Sequence, residues 1–302
     1  GGVGMTLRNI GELAALATAF CWSISGIAFE KAGKKVGSLS VNYIRLILAF
    51  IFVSLYSFIK RGLLFPIDAN IYNWFFLSIS GLIGFTLGDL FLFQAYIEVG
   101  TRISMLIMAS SPPFTALLGF ILLGERLDLK GIIGMLMTIF GIAVVILGKD
   151  EGEKRLKLNH SKKGLIFAFL GSFGQALGLI VSKIGMKNYN ALASTQIRII
   201  AGLIGFTIFI IILKRFEDIK IAFKDKMAMK DITIGAFFGP FVGVTLSLVS
   251  LQYTSAGISS TIASITPVTI IPFSVILLKE RIKVKEILGA ILSVMGVAIL
   301  FI

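Results

Sequence analysis

The chain has 302 residues, of which 56% are hydrophobic and 15% are charged, and its mean hydropathy is +0.95. Charged residues make up about a quarter of a typical soluble domain, so this composition excludes a water-soluble globular protein and indicates a membrane protein. A single cysteine, Cys21, and a single histidine, His160, exclude a disulfide framework and a Cys/His metal centre. The formal charge of +13 predicts loops that face anionic lipid headgroups rather than nucleic acid, because no basic stretch is interleaved with aromatic residues in a polar domain.

The chain begins with residues 1–9, in which the glycine-rich stretch before Met5 resembles the remnant of an expression tag, so we expect a short tail there. The first apolar run is as long as a membrane span and lacks a signal-peptide cleavage pattern, so we expect it to remain as the first helix. Two charged stretches without apolar periodicity, 149–163 and 214–230, are predicted as long loops. Ten spans are predicted at 10–29, 39–59, 72–97, 103–123, 131–147, 164–186, 191–213, 232–253, 258–278 and 286–302.

The two halves of the chain are similar to each other. A shift of 153 residues places Arg45 on Arg198. A shift of 155 residues aligns Gly84 with Gly239, Gly88 with Gly243, Pro112 with Pro267, and Glu125-Arg126 with Glu280-Arg281. Because five spans are an odd number, the second copy must enter the membrane from the opposite face. We therefore predict an all-α polytopic membrane protein whose ten transmembrane helices form two inverted five-helix repeats, 10–148 and 164–302, joined by a central loop at 149–163 in one integrated domain.

These features occur together in a known family. An Arg opens the second helix of each repeat, the third helices are rich in glycine, and the fourth helices contain Pro and end in Leu-Gly-Glu-Arg at 123–126 and Leu-Lys-Glu-Arg at 278–281. In this combination the sequence resembles the EamA-type members of the drug/metabolite transporter superfamily. The resemblance implies a ten-helix carrier that exports or exchanges small polar metabolites such as amino acids, or small cations or drugs.

Asp89 lies inside the third predicted span, with apolar residues on both sides. A carboxylate near the middle of a span costs about 2.5–3.5 kcal/mol on insertion scales, so it usually faces water or a partner. Its counterpart in the second half is Val244, so the acid is not part of the shared scaffold. Asp89 is therefore a candidate for proton or cation coupling and for anchoring a substrate ammonium group. The alternatives are a structural ion pair with Arg45, Lys183 or Arg198, and a position of Asp89 nearer the lipid headgroups than the span boundaries suggest.

Arg45 and Arg198 lie one to two turns into the second and seventh spans. In inverted halves they approach the centre from opposite faces, which makes them candidates for two alternating gates. The alternative is that each long side chain extends its charge to the membrane surface.

Prolines interrupt the fourth and ninth spans at corresponding places. Each lacks a backbone N–H and crowds the carbonyl four residues earlier. Interrupted helices in two inverted halves point to a substrate site at the midplane, although a packing kink without a ligand would look the same. The predicted helix breaks are at Pro112, Pro113, Pro267 and Pro272, and the polar neighbours that could contact a ligand are Ser110, Ser111, Ser264 and Thr266.

Other polar side chains at span depth either contact a ligand or hydrogen-bond between helices. Trp22 and Ser23 lie in the first span, Gln94 in the third and Gln175 in the sixth. The predicted substrate-binding set is Trp22, Ser23, Asp89, Gln94, Ser110, Ser111, Gln175, Ser264 and Thr266.

An intramembrane enzyme is the main competing class. Leu87-Gly88-Asp89 resembles part of the aspartyl protease signature, but Thr86 stands where that signature requires Gly, and no second Asp lies within a span. A passive channel or assembly subunit would more naturally show rings of identical residues from symmetric subunits. We therefore expect a secondary transporter and not an enzyme, with no metal or cofactor, a small-molecule substrate and the lipid bilayer as partners, and a place in the plasma (inner) membrane as a multi-pass protein. Both a monomer and a homodimer remain open.

Two features of the sequence give opposite predictions for the orientation of the termini. The face that holds both termini carries 7 Lys and Arg residues and the opposite face carries 20, with Arg45 and Arg198 left out. The positive-inside rule then places the termini outside the cell. The family resemblance implies termini in the cytoplasm instead.

Overall fold

The computed structural model describes residues 2–126, 128–148, 157–158, 160–279 and 281–299. In the first half the helices are α1 (Gly2–Val36), α2 (Ser38–Arg61), α3 (Ile71–Gly81), α4 (Asp89–Met108), α5 (Ser111–Leu123) and α6 (Leu129–Ile146). In the second half they are α7 (Lys162–Met186), α8 (Ala191–Leu213), α9 (Phe216–Lys224), α10 (Lys226–Ala236), α11 (Val244–Tyr253), α12 (Ala256–Ala263), α13 (Thr266–Phe273) and α14 (Val284–Ile299). Two-residue strands β1 (Leu147–Gly148) and β2 (Lys157–Leu158) pair antiparallel, with Leu147 opposite Leu158.

Six helical stretches in the described ranges are long and apolar enough to cross a membrane, which makes the chain an all-α polytopic membrane protein. They are Asn9–Val36, Ser38–Arg61, Ile71–Met108, Lys162–Met186, Ala191–Leu213 and Lys226–Tyr253. Three shorter apolar helices are Ser111–Leu123, Leu129–Val144 and Thr266–Leu278. α1 begins at Gly2, inside the expected tail, and most of the predicted central loop lies outside the described residues.

Two π-helical segments lie at corresponding positions. One, Leu82–Gly88, joins α3 to α4, and the other, Phe237–Gly243, joins α10 to α11, 155 positions later. Each contacts the first long helix of the opposite half. A Cβ on Gly174 of α7 would lie 2.8 Å from the Gly88 Cα, and a Cβ on Gly243 would lie 3.1 Å from the Trp22 ring on α1. Each half thus packs its third helix against the other half.

The boundary between the third and fourth predicted spans lies inside α4. Gly100 has φ 82° and ψ 159°, a backbone conformation that interrupts the helix. A new helix begins at Thr101, whose backbone N–H donates to Oε2 of Glu30 at 2.7 Å. The Glu30 carboxylate from α1 is fully buried, so it satisfies a helix N-terminus at the cost of an internal charge.

The fourth and ninth spans are broken at matching places. The turn at Ala109–Ser110 separates α4 from α5, and the turn at Ser264–Ile265 separates α12 from α13, again 155 residues apart. Pro112, Pro113 and Pro267 lie in the first turns of α5 and α13, where a missing N–H removes no helical hydrogen bond. Pro272 lies inside α13 and is followed by a third π-helical segment, Ser274–Leu278. The two broken helices meet where Thr115 Oγ1 donates to Ser260 Oγ at 3.3 Å.

The prediction of a long loop over 214–230 was wrong. α9 occupies part of this stretch, with Ile219 and Ala222 buried on one face and Glu217 and Asp218 in its first turn. The Asp225 side chain then accepts from the Ala228 backbone N–H at 2.8 Å and caps α10. A single turn of apolar spacing is too short to be recognised as a helical period in a charged stretch.

Candidate functional site

A cavity lies where the two halves of the bundle meet. The centres of water-sized molecules can occupy about 100 Å³ of it, several times what one water needs. Its charged lining residues are Arg45, Asp89 and Arg198. Its polar lining residues are Trp22, Ser25, Ser111, Gln175, Ser247, Ser259, Ser260, Ser264 and Thr266, and its larger apolar ones are Phe29, Phe85, Leu92, Phe93, Tyr96, Met105, Met108 and Leu179.

Asp89 follows directly after the first π-helical segment and forms a buried ion pair with Arg45. Nη2 of Arg45 donates to Oδ2 of Asp89 at 2.6 Å, and the side chains are 3% and 7% exposed. The Gln175 side-chain amide from α7 donates to Oδ1 of the same carboxylate. Both carboxylate oxygens of Asp89 therefore have hydrogen-bond partners. This arrangement matches the alternative interpretation of the sequence, a structural ion pair with Arg45.

Asn42 holds this pair in place, and sequence reasoning missed it. It lies one helical turn before Arg45 on α2, so both side chains project from the same face. Asn42 Oδ1 accepts from Arg45 Nε at 3.1 Å, while Asn42 Nδ2 donates to the Asp89 carbonyl oxygen at 3.3 Å. The spacing of Asn42 and Arg45, one helical turn apart in the sequence, is the pattern that could have indicated this contact.

Arg198 enters the same cavity from α8 and is 3% exposed. Within the described ranges no carboxylate pairs with it, and its Nε has no hydrogen-bond partner. Its Cζ lies 4.9 Å from the centre of the Phe85 ring, and the Arg45 Cζ lies 5.5 Å from that ring. One aromatic ring therefore contacts two buried guanidinium groups. Both arginines are buried and line this cavity, and the gating role of each stays a prediction.

The structure brings six of the nine predicted substrate-binding residues to the cavity: Trp22, Asp89, Ser111, Gln175, Ser264 and Thr266. Ser23, Gln94 and Ser110 are not among its lining residues, because they hydrogen-bond between helices instead. Ser23 Oγ lies 2.5 Å from Thr269 Oγ1, Gln94 Oε1 accepts from Ser38 Oγ at 2.8 Å, and Ser110 Oγ lies 2.8 Å from Ser172 Oγ. Hydrogen bonding between helices is the alternative role that the sequence predicts for such polar residues.

Glu125, from the first copy of the duplicated Glu-Arg motif, contacts the start of α12. The Glu125 carboxylate forms an ion pair with Lys183 at 2.9 Å and accepts from the Ala256 backbone N–H at 3.2 Å. Lys183 also donates to the Thr254 carbonyl at 3.3 Å. Glu280, the corresponding acid of the second copy, lies outside the described residues.

A polar cluster at the same end joins the two halves. Nη2 of Arg61 lies 2.5 Å from Oδ2 of Asp68, and the Tyr189 hydroxyl donates to Oδ1 of Asp68 at 2.8 Å. Burial would raise the pKa of Asp68, but the bonds from Tyr189 and Arg61 outweigh it and hold that pKa below its usual value. Burial and the bond to Asp68 raise the pKa of Tyr189 to about 12.

At the other end, Arg102 forms an ion pair with Glu286 at 3.1 Å and donates to the Arg281 carbonyl at 3.3 Å. His160 lies near these charges, and burial lowers the pKa of its imidazole. In the part of the chain that the structure describes, no group of three His, Cys, Asp or Glu side chains could hold a metal ion.

Comparisons with known proteins agree on one family. The model of the EamA-like transporter family matches residues 9–147 and again 162–302. An uncharacterized transporter of Archaeoglobus fulgidus is 24% identical over 296 residues, which cover 95% of this chain and 96% of the relative. The uncharacterized transporter YyaM of Bacillus subtilis is 25% identical over 244 residues, 76% of this chain and 72% of the relative.

A solved crystal structure of a protein shares the fold with a TM-score of 0.68 at 17% identity, covering 96% of both chains. The family matches and the transporter-named relatives point to a transporter rather than an enzyme. The resemblance indicated by the sequence motifs is confirmed: this chain belongs to the EamA-like transporter family and is a multi-pass membrane transporter.

Proposed function

We propose that this chain is a secondary transporter that moves a small polar metabolite across the plasma membrane by alternating access, through ten spans arranged as two inverted five-helix repeats. Export or exchange is the proposed direction. The observation that carries the proposal is the cavity at the junction of the halves, which receives Arg45 and Asp89 from the first half and Gln175 and Arg198 from the second. A site shared between repeats can open to either side when one repeat rocks against the other.

Three structural correspondences support the repeat. The π-helical segments, the turns that break the fourth helices, and a reciprocal glycine contact between α6 and α14 all recur at a spacing of 155 residues. They involve backbone conformation as well as residue type, so a chance similarity of apolar composition does not account for them. The separate matches of the family model to the two halves are also in keeping with a duplication.

Asp89 is the proposed coupling residue. Protonation of its carboxylate would remove the charge that holds Arg45 and would release both Arg45 and Gln175. The ion pair between α2 and α4 would thereby be exchanged for a different arrangement of the two helices, which is what coupling of a proton to a conformational change requires. Arg45 and Arg198 are proposed as the charges whose partners change between the two states.

Alternating access can be tested without a known substrate. In a Cys21→Ser background, Ser111→Cys places a thiol on the cavity lining, and an impermeant anionic methanethiosulfonate reagent reports its exposure from either side of sealed vesicles. A lock is available where a Cβ on Gly257 of α12 would lie 3.7 Å from the Ala116 Cβ on α5, a separation that suits a disulfide. Ala116→Cys with Gly257→Cys would tie the two broken helices together at one face.

Oxidation of this lock should abolish labelling of Ser111→Cys from the tied face and increase it from the other face, because closing one side raises the population open to the other. Reduction should restore the starting pattern, and the same oxidation without the 116/257 pair should change nothing. A passive channel predicts no increase at the untied face, and that result would contradict the proposal.

A further inference from the structure

The charges of the cavity do not balance. Arg45 and Asp89 neutralise one another across 2.6 Å, which leaves Arg198 as a second buried cation. The Phe85 ring gives it an aromatic face at 4.9 Å, and the carboxylate of Asp89, whose charge also acts on Arg198, makes its hydrogen bonds to Arg45 and Gln175 instead. A buried charge is expensive unless it is paired, so an unpaired guanidinium that lines a cavity is a place where an anion would bind favourably.

The repeat shows what is missing beside Arg198. Arg45 and Arg198 correspond at a shift of 153 residues, and Asp89 and Val244 correspond at a shift of 155. In the first half the arginine of the second helix has a carboxylate on the third helix. In the second half the equivalent position holds an isopropyl group, which lines the same cavity. Each half therefore has a position for an arginine and a facing position on the third helix. In the first half that facing position holds a carboxylate, and in the second half it does not.

We propose that the substrate supplies the second carboxylate: the chain binds a small organic carboxylate whose anionic group pairs with Arg198, in the place that Asp89 takes beside Arg45. This inference rests on the proposed transport function and names its substrate class. A guanidinium can donate two parallel hydrogen bonds to a carboxylate, which fixes orientation as well as charge. An organic cation has no equivalent anchor, because both oxygens of Asp89 already accept hydrogen bonds from Arg45 and Gln175.

The remaining walls indicate the body of the ligand. Phe29, Phe93, Tyr96, Met105 and Met108 line the cavity beside the charged groups. Aromatic and thioether side chains favour an apolar or aromatic body. A compact aromatic carboxylate such as benzoate therefore matches the site in both charge and surface.

Three probes of nearly identical shape separate charge from body: benzoate is anionic, benzamide is neutral and benzamidine is cationic. In thermal-shift titrations of the purified full chain in detergent at constant ionic strength, benzoate should raise Tm in a saturable manner, since a ligand that binds the folded state stabilises it. Benzamide should bind at least about tenfold more weakly, as expected for loss of a charge-assisted hydrogen bond, and benzamidine should give no stabilisation. Equal shifts with benzoate and benzamide would overturn the anion site.

Variants assign the binding to Arg198. Val244→Asp places a carboxylate where the repeat predicts one and should abolish the benzoate shift, while Val244→Asn, of the same size but uncharged, should reduce the shift less than Val244→Asp does. Arg198→Gln should weaken benzoate at least about tenfold. Arg215→Gln removes the same charge from an exposed position, 58% exposed in its side chain, and should bind as the parent does. Parental affinity for benzoate in both Arg198→Gln and Val244→Asp would refute the assignment.

The two proposals fail separately. The vesicle labelling experiment uses no ligand and leaves Arg198 intact, so alternating access can hold when benzoate does not bind. Conversely, benzoate can bind at Arg198 even when the disulfide between positions 116 and 257 leaves the labelling of Ser111→Cys unchanged.

Discussion

Gly141 on α6 lies directly against Gly289 on α14, where a Cβ on Gly141 would come within 2.6 Å of the Gly289 carbonyl oxygen. The reverse contact is also present, because a Cβ on Gly296 would come within 2.5 Å of the Gly134 carbonyl oxygen. The two pairs exchange under the 155-residue shift, so α6 and α14 cross about a local two-fold axis. The contact is close because glycines meet backbone carbonyls at the crossing, and the side chains nearest to these glycines, Ser293 and Thr138, are small.

Gly141→Ala should therefore destabilise the protein by about 1–3 kcal/mol, the usual cost of overpacking, even though alanine favours helix. Gly257→Ala is the matched control, because its Cβ would sit at an ordinary 3.7 Å from the nearest side chain. Thermal unfolding in detergent compares the two, with a fall of several degrees expected for the first and no fall for the second. Equal Tm values for both variants would contradict the close crossing.

Breaking the buried ion pair should be costly. Asp89→Asn leaves Arg45 as an uncompensated internal charge, and such losses amount to about 3–5 kcal/mol, which corresponds to a fall in Tm of the order of 10 °C. Asp89→Asn with Arg45→Gln should recover part of this, since the stranded charge is gone. Additive effects of the two single changes in this double-mutant cycle would show that the pair is not formed in the folded protein.

The polar cluster of Arg61, Asp68 and Tyr189 should give stability a defined pH window. The pKa of Asp68 is lowered, so its contribution is present above the unfolded value of about 3.9 and is lost as the pH falls. The pKa of Tyr189 is raised to about 12, so its contribution is present below the unfolded value of about 10 and is lost as the pH rises towards 12. The side chain of Asp68 is 43% exposed, so solvent screening limits the effect to less than about 1 kcal/mol.

Tyr189→Phe provides the measurement for this cluster. The difference in Tm between the parent and this variant should be constant near neutral pH and should shrink between pH 10 and 12. A difference that stays unchanged over that alkaline range would argue against the bond between Tyr189 and Asp68.

Orientation can be read from two single-cysteine variants in the Cys21→Ser background. Ile67 is 77% exposed in the loop after α2, and the Lys220 side chain is 67% exposed on α9, which the proposed topology places at the opposite face. Following the charge count, Ile67→Cys should react with an impermeant thiol reagent on intact cells, and Lys220→Cys should react only after permeabilisation. The reverse pattern would support termini in the cytoplasm, as the family resemblance implies.

Apolar run length, proline positions and the spacing of the Glu-Arg motif predicted the membrane class and the family. The partner of Asp89 could not be chosen among Arg45, Lys183 and Arg198, because the choice depends on how far α2 is rotated about its axis. The rotation becomes visible only through the contacts of Asn42 with both members of the pair. The burial of Arg198 was likewise hidden, since an arginine one turn inside a span can reach the surface in an isolated helix.

The two π-helical segments bear on how the third helices tolerate changes of chain length. A π turn accommodates one extra residue within an α-helix. Deleting one residue from the α-helical part of α4 would turn the residues before and after the deletion by about 100° relative to each other, whereas a deletion within Leu82–Gly88 is absorbed when the segment returns to α-helix, which keeps Asp89 on the side of Arg45. These segments are thus the places where the third helices can lose a residue without changing which side chains face the cavity.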